Sequence, residues 1–154
     1  MPDLQAASTE VLQRLIRFNT VNPPGDEREA IEYLRAYVEK AGFETELLGV
    51  QDQRPNLIAT LAGASEGPTL VLLGHVDTVL AHAPDWRHDP WGGELADGYL
   101  WGRGALDMKS QVAAEAVAAV ALAREGWRPA RGTLKLVFVA DEETGGEQGA
   151  RWLT

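Results

Sequence analysis

The chain of 154 residues contains no cysteine. Neither a disulfide framework nor a thiolate metal centre can form, so any bound metal must sit on imidazole and carboxylate groups. Basic residues are also scarce, with 14 Lys and Arg against 23 Asp and Glu and a net charge of -9. That balance argues against nucleic acid or an anionic membrane surface as a partner, because both need a basic footprint. It leaves many carboxylates free to act as ligands. No apolar run is long enough to span a bilayer, and the opening Met1-Pro2-Asp3-Leu4-Gln5 lacks the basic-then-apolar pattern of a secretion signal. The expectation is a cytoplasmic protein with no membrane and no nucleic-acid partner. Internal repeats, low-complexity tracts and flexible linkers are absent as well, and the length fits one domain with a substantial core.

What is present is an alternation of helical and strand-like segments. Val11, Leu12, Leu15, Ile16 and Phe18 form a helical stripe over residues 8–18, with Ser8 or Thr9 available as N-cap. Asn22-Pro23-Pro24-Gly25 breaks the chain, and Asp26 with Glu29 resembles a capping box opening a second helix that buries Ile31, Leu34, Val38 and Ala41 and stops at Gly42. Residues 43–50 and 56–62 read as an antiparallel strand pair around the polar turn 51–55. Leu70-Val71-Leu72-Leu73 reads as a strand buried on both faces. A long loop over 81–93 precedes a hairpin that turns at Asp97-Gly98. An Ala- and Val-rich helix over 110–124, a strand over 134–140 and a helix opening at 144–147 complete the pattern. The class is α/β, expected as a three-layer α/β/α arrangement with a mostly parallel, mixed central sheet.

Chemistry-bearing residues gather in three places. His75 and Asp77 follow the strand at 70–73 and, being two apart in extended chain, point to one side. Asp107 lies where the Ala-rich helix begins, and Glu142 and Glu143 follow the strand at 134–140. Taken singly, each has an ordinary structural explanation: a strand-end histidine, a turn cap, a helix N-cap, a solvated acidic run. Ligands of open α/β sheets sit at the carboxyl ends of strands, so near-neighbour strands would bring the three clusters to one rim. His82 and His88 fit loop positions better than ligand positions. Trp86, Trp91 and Trp101 fit packing of the loop onto the body.

Three stretches together resemble the successive motifs of the M20 metallopeptidase family. They are Gly74-His75-Val76-Asp77-Thr78, Gly102-Arg103-Gly104-Ala105-Leu106-Asp107-Met108-Lys109 and Asp141-Glu142-Glu143-Thr144-Gly145-Gly146. The resemblance implies His75 on one divalent ion, Glu143 on a second and Asp107 bridging the two. It implies Asp77 as the carboxylate that orients His75, Glu142 as general base, and a cis peptide between Asp107 and Met108. Two divalent metal ions are the implied cofactors, zinc first, with cobalt or manganese as alternatives. The implied reaction is hydrolysis of an amide bond in a small peptide or N-acyl amino acid by activated water, without a covalent intermediate.

The resemblance also implies an acidic ligand some tens of positions beyond Glu143, a histidine near the end of a much longer chain, and a smaller domain that covers the site and can form a homodimer. Residues 1–154 are therefore expected to be the N-terminal part of a metallohydrolase catalytic domain, inactive alone. A related zinc aminopeptidase, and a non-catalytic binding module or degenerate fragment on the same scaffold, are the competing readings.

Overall fold

The computed structural model describes residues 3–154. Helix α1 (Leu4–Arg17) begins earlier than its apolar stripe suggests, because Asp3 caps it by accepting the Ala6 amide at 3.0 Å. Ser8 and Thr9 lie inside the helix. Helix α2 (Arg28–Glu39) buries Ala30, Ile31, Leu34 and Val38. Its start is not a capping box: Glu27 occupies the N-cap without a side-chain cap, and the Gln53 carbonyl takes the Glu27 and Arg28 amides instead. Gly42 ends the turn after α2 in the left-handed region, at φ 86°.

Strands β1 (Glu44–Leu48), β2 (Asn56–Ala62), β3 (Thr69–His75) and β6 (Thr133–Val139) form one sheet in the order β1-β2-β6-β3. The expected antiparallel pairing of β1 with β2 is present. The sheet is mixed, with β2 antiparallel and β3 parallel to β6. Parallel pairing thus occupies one of the three ladders. Register places Leu57 beside Phe138, and Ala59, Leu136 and Leu72 in the next row. That face shares a single core with α1, α2 and helix α3 (Lys109–Arg124).

β3 departs from its expected burial. Leu70, Val71 and Leu73 are exposed, because β3 is an edge strand among the described residues, pairing only with β6. The strand's apolar run reflects high β-propensity, which carries no information about which edges are filled. The outer face, where Val71 and Leu73 lie, carries no long helix among the described residues. Gly74 permits the close approach of α3 to β3, since a Cβ there would stand 2.8 Å from Val112 Cγ2.

The hairpin of β4 (Glu94–Ala96) and β5 (Tyr99–Trp101) turns as expected at Asp97 and Gly98, both with positive φ. After β6 a single 3₁₀ turn (Glu142–Thr144) replaces the expected helix start. Gly145 and Gly146 are left-handed there, and α4 (Ala150–Leu153) forms only after them. No helix among the described residues is long and apolar enough to cross a membrane.

Candidate metal centre

β3 and β6 run side by side in parallel, so the loops that follow them emerge at the same end of the sheet. One carries His75 at the strand terminus with Asp77 after it; the other carries Glu142 and Glu143. Asp107 arrives from the turn before α3, whose backbone is closed by the Lys109 amide donating to the Gly104 carbonyl at 2.9 Å. Gly104 holds φ 82°, and a Cβ on it would press on Thr78 and Lys109. The peptide between Asp107 and Met108 is cis.

Side-chain atoms of His75, Asp107 and Glu143 lie within 4.8 Å of one another. His75 is buried, with Nε2 3.2 Å from Asp107 Oδ1 and 3.7 Å from Glu142 Oε2. Its Nδ1 stands 3.1 Å from the Asp77 carbonyl and 3.2 Å from Asp77 Oδ1. Two acceptors at Nδ1 require a proton there, which leaves Nε2 as the nitrogen directed at Asp107. Burial alone would lower the His75 pKa, but Asp77, Asp107 and Glu142 outweigh it and raise it to about 9. The Glu143 carboxyl is pushed up, first by burial and then by the negative charge of Asp107, Asp77 and Glu142, with His75 opposing. One imidazole amid crowded carboxylates is a donor set that a hard or borderline divalent cation fits, and a cation would relieve the crowding.

Beneath these groups lies a buried polar floor. The Asp77 carboxylate accepts the backbone amides of Glu142 and Glu143, each at 3.1 Å, and the Asn22 amide at 2.8 Å. Burial pushes the Asp77 pKa up, yet His75, Asn22 and these two amides together lower it. Asn22 Nδ2 is also 3.1 Å from Asp141 Oδ1 and 3.0 Å from Thr144 Oγ1. Asp141, left-handed at φ 66°, accepts further bonds from Thr144 and the Gln148 amide and pairs with Arg54 at 3.1 Å. Its pKa falls to about 2: burial works against this, and the Thr144, Gln148 and Asn22 hydrogen bonds with the Arg54 charge prevail. Arg54 grips Glu27 through two bonds, at 2.8 and 3.1 Å. Asn56 fixes the end of β6, accepting the Ala140 amide at 2.9 Å. Lys109 is wholly buried and donates to the Leu15 and Phe18 carbonyls at the end of α1, where its charge suits the helix terminus.

All five site residues named from sequence are therefore brought together at one end of the sheet. Apart from Asp77, the floor was not foreseen. Asn22 read as a chain break and Arg54 as part of a polar turn, and the one available signal was a lysine, Lys109, heading an otherwise Ala- and Val-rich helix. His82 and His88 stand apart, paired with Asp85 and Glu94, and the His88 ring packs 4.5 Å from that of Trp101. Trp86 lies under the Arg103 guanidinium. Trp91 lines a cleft of about 490 Å³ with Phe18, Val21 and Pro23, and none of the five residues faces it.

Comparison with known proteins finds relatives in sequence and in fold. The chain is 36% identical to succinyl-diaminopimelate desuccinylase of Methylocella silvestris, over 99% of its own length and 40% of that protein. It is 41% identical to the enzyme of that name from Xanthobacter autotrophicus, over 84% of the chain and 33% of the relative. The chain thus spans about two fifths or less of these relatives. Among solved structures, an M20 family metallo-carboxypeptidase from Sulfolobus solfataricus superposes with a TM-score of 0.76 at 21% identity, covering 95% of this chain and 32% of that one. Human carnosine dipeptidase 1 gives 0.73 at 23%, covering 92% and 34%. At such identities these two establish the shared fold. A profile of peptidase family M20/M25/M40 matches residues 71–154, more than half of the chain and all three motif stretches, and the chain belongs to that family.

Proposed function

We propose that this chain contributes to a hydrolase that cleaves an amide bond in an N-acyl amino acid or small peptide with the help of two divalent ions, zinc in the first instance. The observation that carries the reading is the convergence of His75, Asp107 and Glu143, with Glu142 3.7 Å from the same imidazole nitrogen. His75, Asp107 and Glu143 would hold the metal. Bound ions of this kind acidify water and polarise a carbonyl. Asp77 keeps the Nδ1 proton on His75 and so presents Nε2 outward. Glu142, exposed on the rim and held by its backbone amide to Asp77, accepts a proton from the attacking water and returns it to the departing amine. The relatives' names favour an N-succinyl amino acid as substrate; those of the structural neighbours, a dipeptide or a C-terminal peptide bond.

Three ligand side chains fall short of what two catalytic ions require, at about three protein ligands each. The 154 residues alone are expected to bind zinc weakly and to turn over no substrate. The deciding experiment expresses the uninterrupted reading frame that contains this chain, with and without Glu142→Gln, and assays N-succinyl amino acids and dipeptides after zinc loading. The unaltered protein should hydrolyse one class, and the variant should keep its metal while losing roughly 10²–10⁴-fold in rate. Full turnover by the variant would remove Glu142 from the chemistry.

A further inference from the structure

We propose that Asn22 is a positioning residue that locks the loop carrying His75 and Asp77 to the loop carrying Glu142 and Glu143; the inference rests on the metal-site reading above. The segment around it lies outside the stretch matched by the family profile, which begins at residue 71. Its backbone is fastened to the first loop. Thr20 Oγ1 donates to the Val76 carbonyl at 2.7 Å, the Thr78 amide to the Thr20 carbonyl at 2.9 Å, and the Asn22 amide to the Thr78 carbonyl at 2.8 Å. Its side chain reaches the second loop, where the same Nδ2 meets Asp141 Oδ1 and Thr144 Oγ1 while also meeting Asp77 Oδ2.

The physical demand on this position is specific. Asp77 and Asp141 are both buried, and two carboxylates facing one point repel unless a donor stands between them. A primary amide supplies two N–H groups without adding charge of its own. Asp77 in turn orients the Glu142 and Glu143 amides, so the direction in which Asn22 holds Asp77 sets where those two side chains begin. Arg54 meets the same Asp141 oxygen, Oδ1, as Asn22 does but reaches no atom of Asp77 within bonding distance.

The test compares Asn22→Ala, and the milder Asn22→Ser that keeps one donor, with Leu34→Ala, which removes core volume from α2 away from the site. In the metal-free chain, hydrogen exchange followed by NMR should show the Glu142 and Glu143 amides of Asn22→Ala exchanging about tenfold faster relative to Leu136, the loss expected for one hydrogen bond. In Leu34→Ala their ratio to Leu136 should stay as in the unaltered chain. In the product of the uninterrupted reading frame, titration with Co²⁺ should show affinity falling about 10- to 100-fold in Asn22→Ala with an altered visible spectrum, the effect usual for groups that orient metal ligands. Unchanged exchange at Glu142 and Glu143 in both Asn22 variants, or equal acceleration in Leu34→Ala, would overturn the proposal. Absence of Co²⁺ binding by the product of the uninterrupted reading frame would count against the metal reading, and the exchange comparison would still decide the part played by Asn22.

Discussion

The floor of the site and its rim obey opposite rules. On the floor, Asp77 is 0% exposed and Arg54 7%, and each of their charges is met by several partners. On the rim, the Asp107 side chain is 77% exposed and that of Glu142 58%, and their negative charges crowd a single imidazole. Buried charge is tolerated only when saturated, whereas water screens the rim and lets it stay uncompensated. The floor can therefore be rigid and the rim reactive, and the two can be perturbed separately.

The largest expected effect lies on the floor. Arg54→Met leaves Glu27 and Asp141 buried without their cation, and the chain should lose about 3–5 kcal/mol of stability in urea unfolding. A loss below about 1 kcal/mol would mean that the floor is less dry than its exposure indicates. Next comes the boundary between the regions, at His75. Its folded pKa of about 9 lies above the ordinary 6.5, so its contribution is full below pH 6.5 and vanishes as pH rises through 9. The stability gap between the metal-free chain and His75→Gln should accordingly close between pH 6.5 and 9, from a size on the order of 3 kcal/mol. Using that difference cancels Lys109, whose burial lowers its pKa to about 7 and makes its own contribution grow with pH. Metal affinity should run the other way and strengthen over the same interval, since the proton on Nε2 competes with the ion. The smallest effect belongs to the rim: Glu142→Gln should shift unfolding by no more than about 0.5 kcal/mol, as exposed substitutions do. A loss comparable to that of Arg54→Met would erase the distinction between the two regions.

Much of the rim was legible in the sequence, and little of the floor beyond Asp77. His75, Asp77, Asp107, Glu142 and Glu143 sit in short motifs beside strand ends or a helix start, where the chain's own pattern marks them. Glu27 and Arg54 lie 27 positions apart, and Asn22 and Asp141 119 apart. Nothing local distinguishes a buried Arg54 from a solvated one in a turn. The same limit explains α2, where the Asp26 and Glu29 spacing suggested a capping box that the Gln53 carbonyl made unnecessary.

By itself, the sequence determined the α/β class, the strand pair read at 43–50 and 56–62 and the Asp97-Gly98 hairpin, and through its motifs it marked the candidate site residues, because periodicity, turn chemistry and short motifs are local properties. Only the tertiary structure decided that β3 is an edge strand among the described residues, with exposed leucines, that the chain after Glu143 turns twice through glycine before becoming helical, and that Asn22, Arg54, Glu27 and Lys109 are buried. Burial of a polar group depends on partners supplied from remote parts of the chain, and those partners exist only once the sheet has set its register.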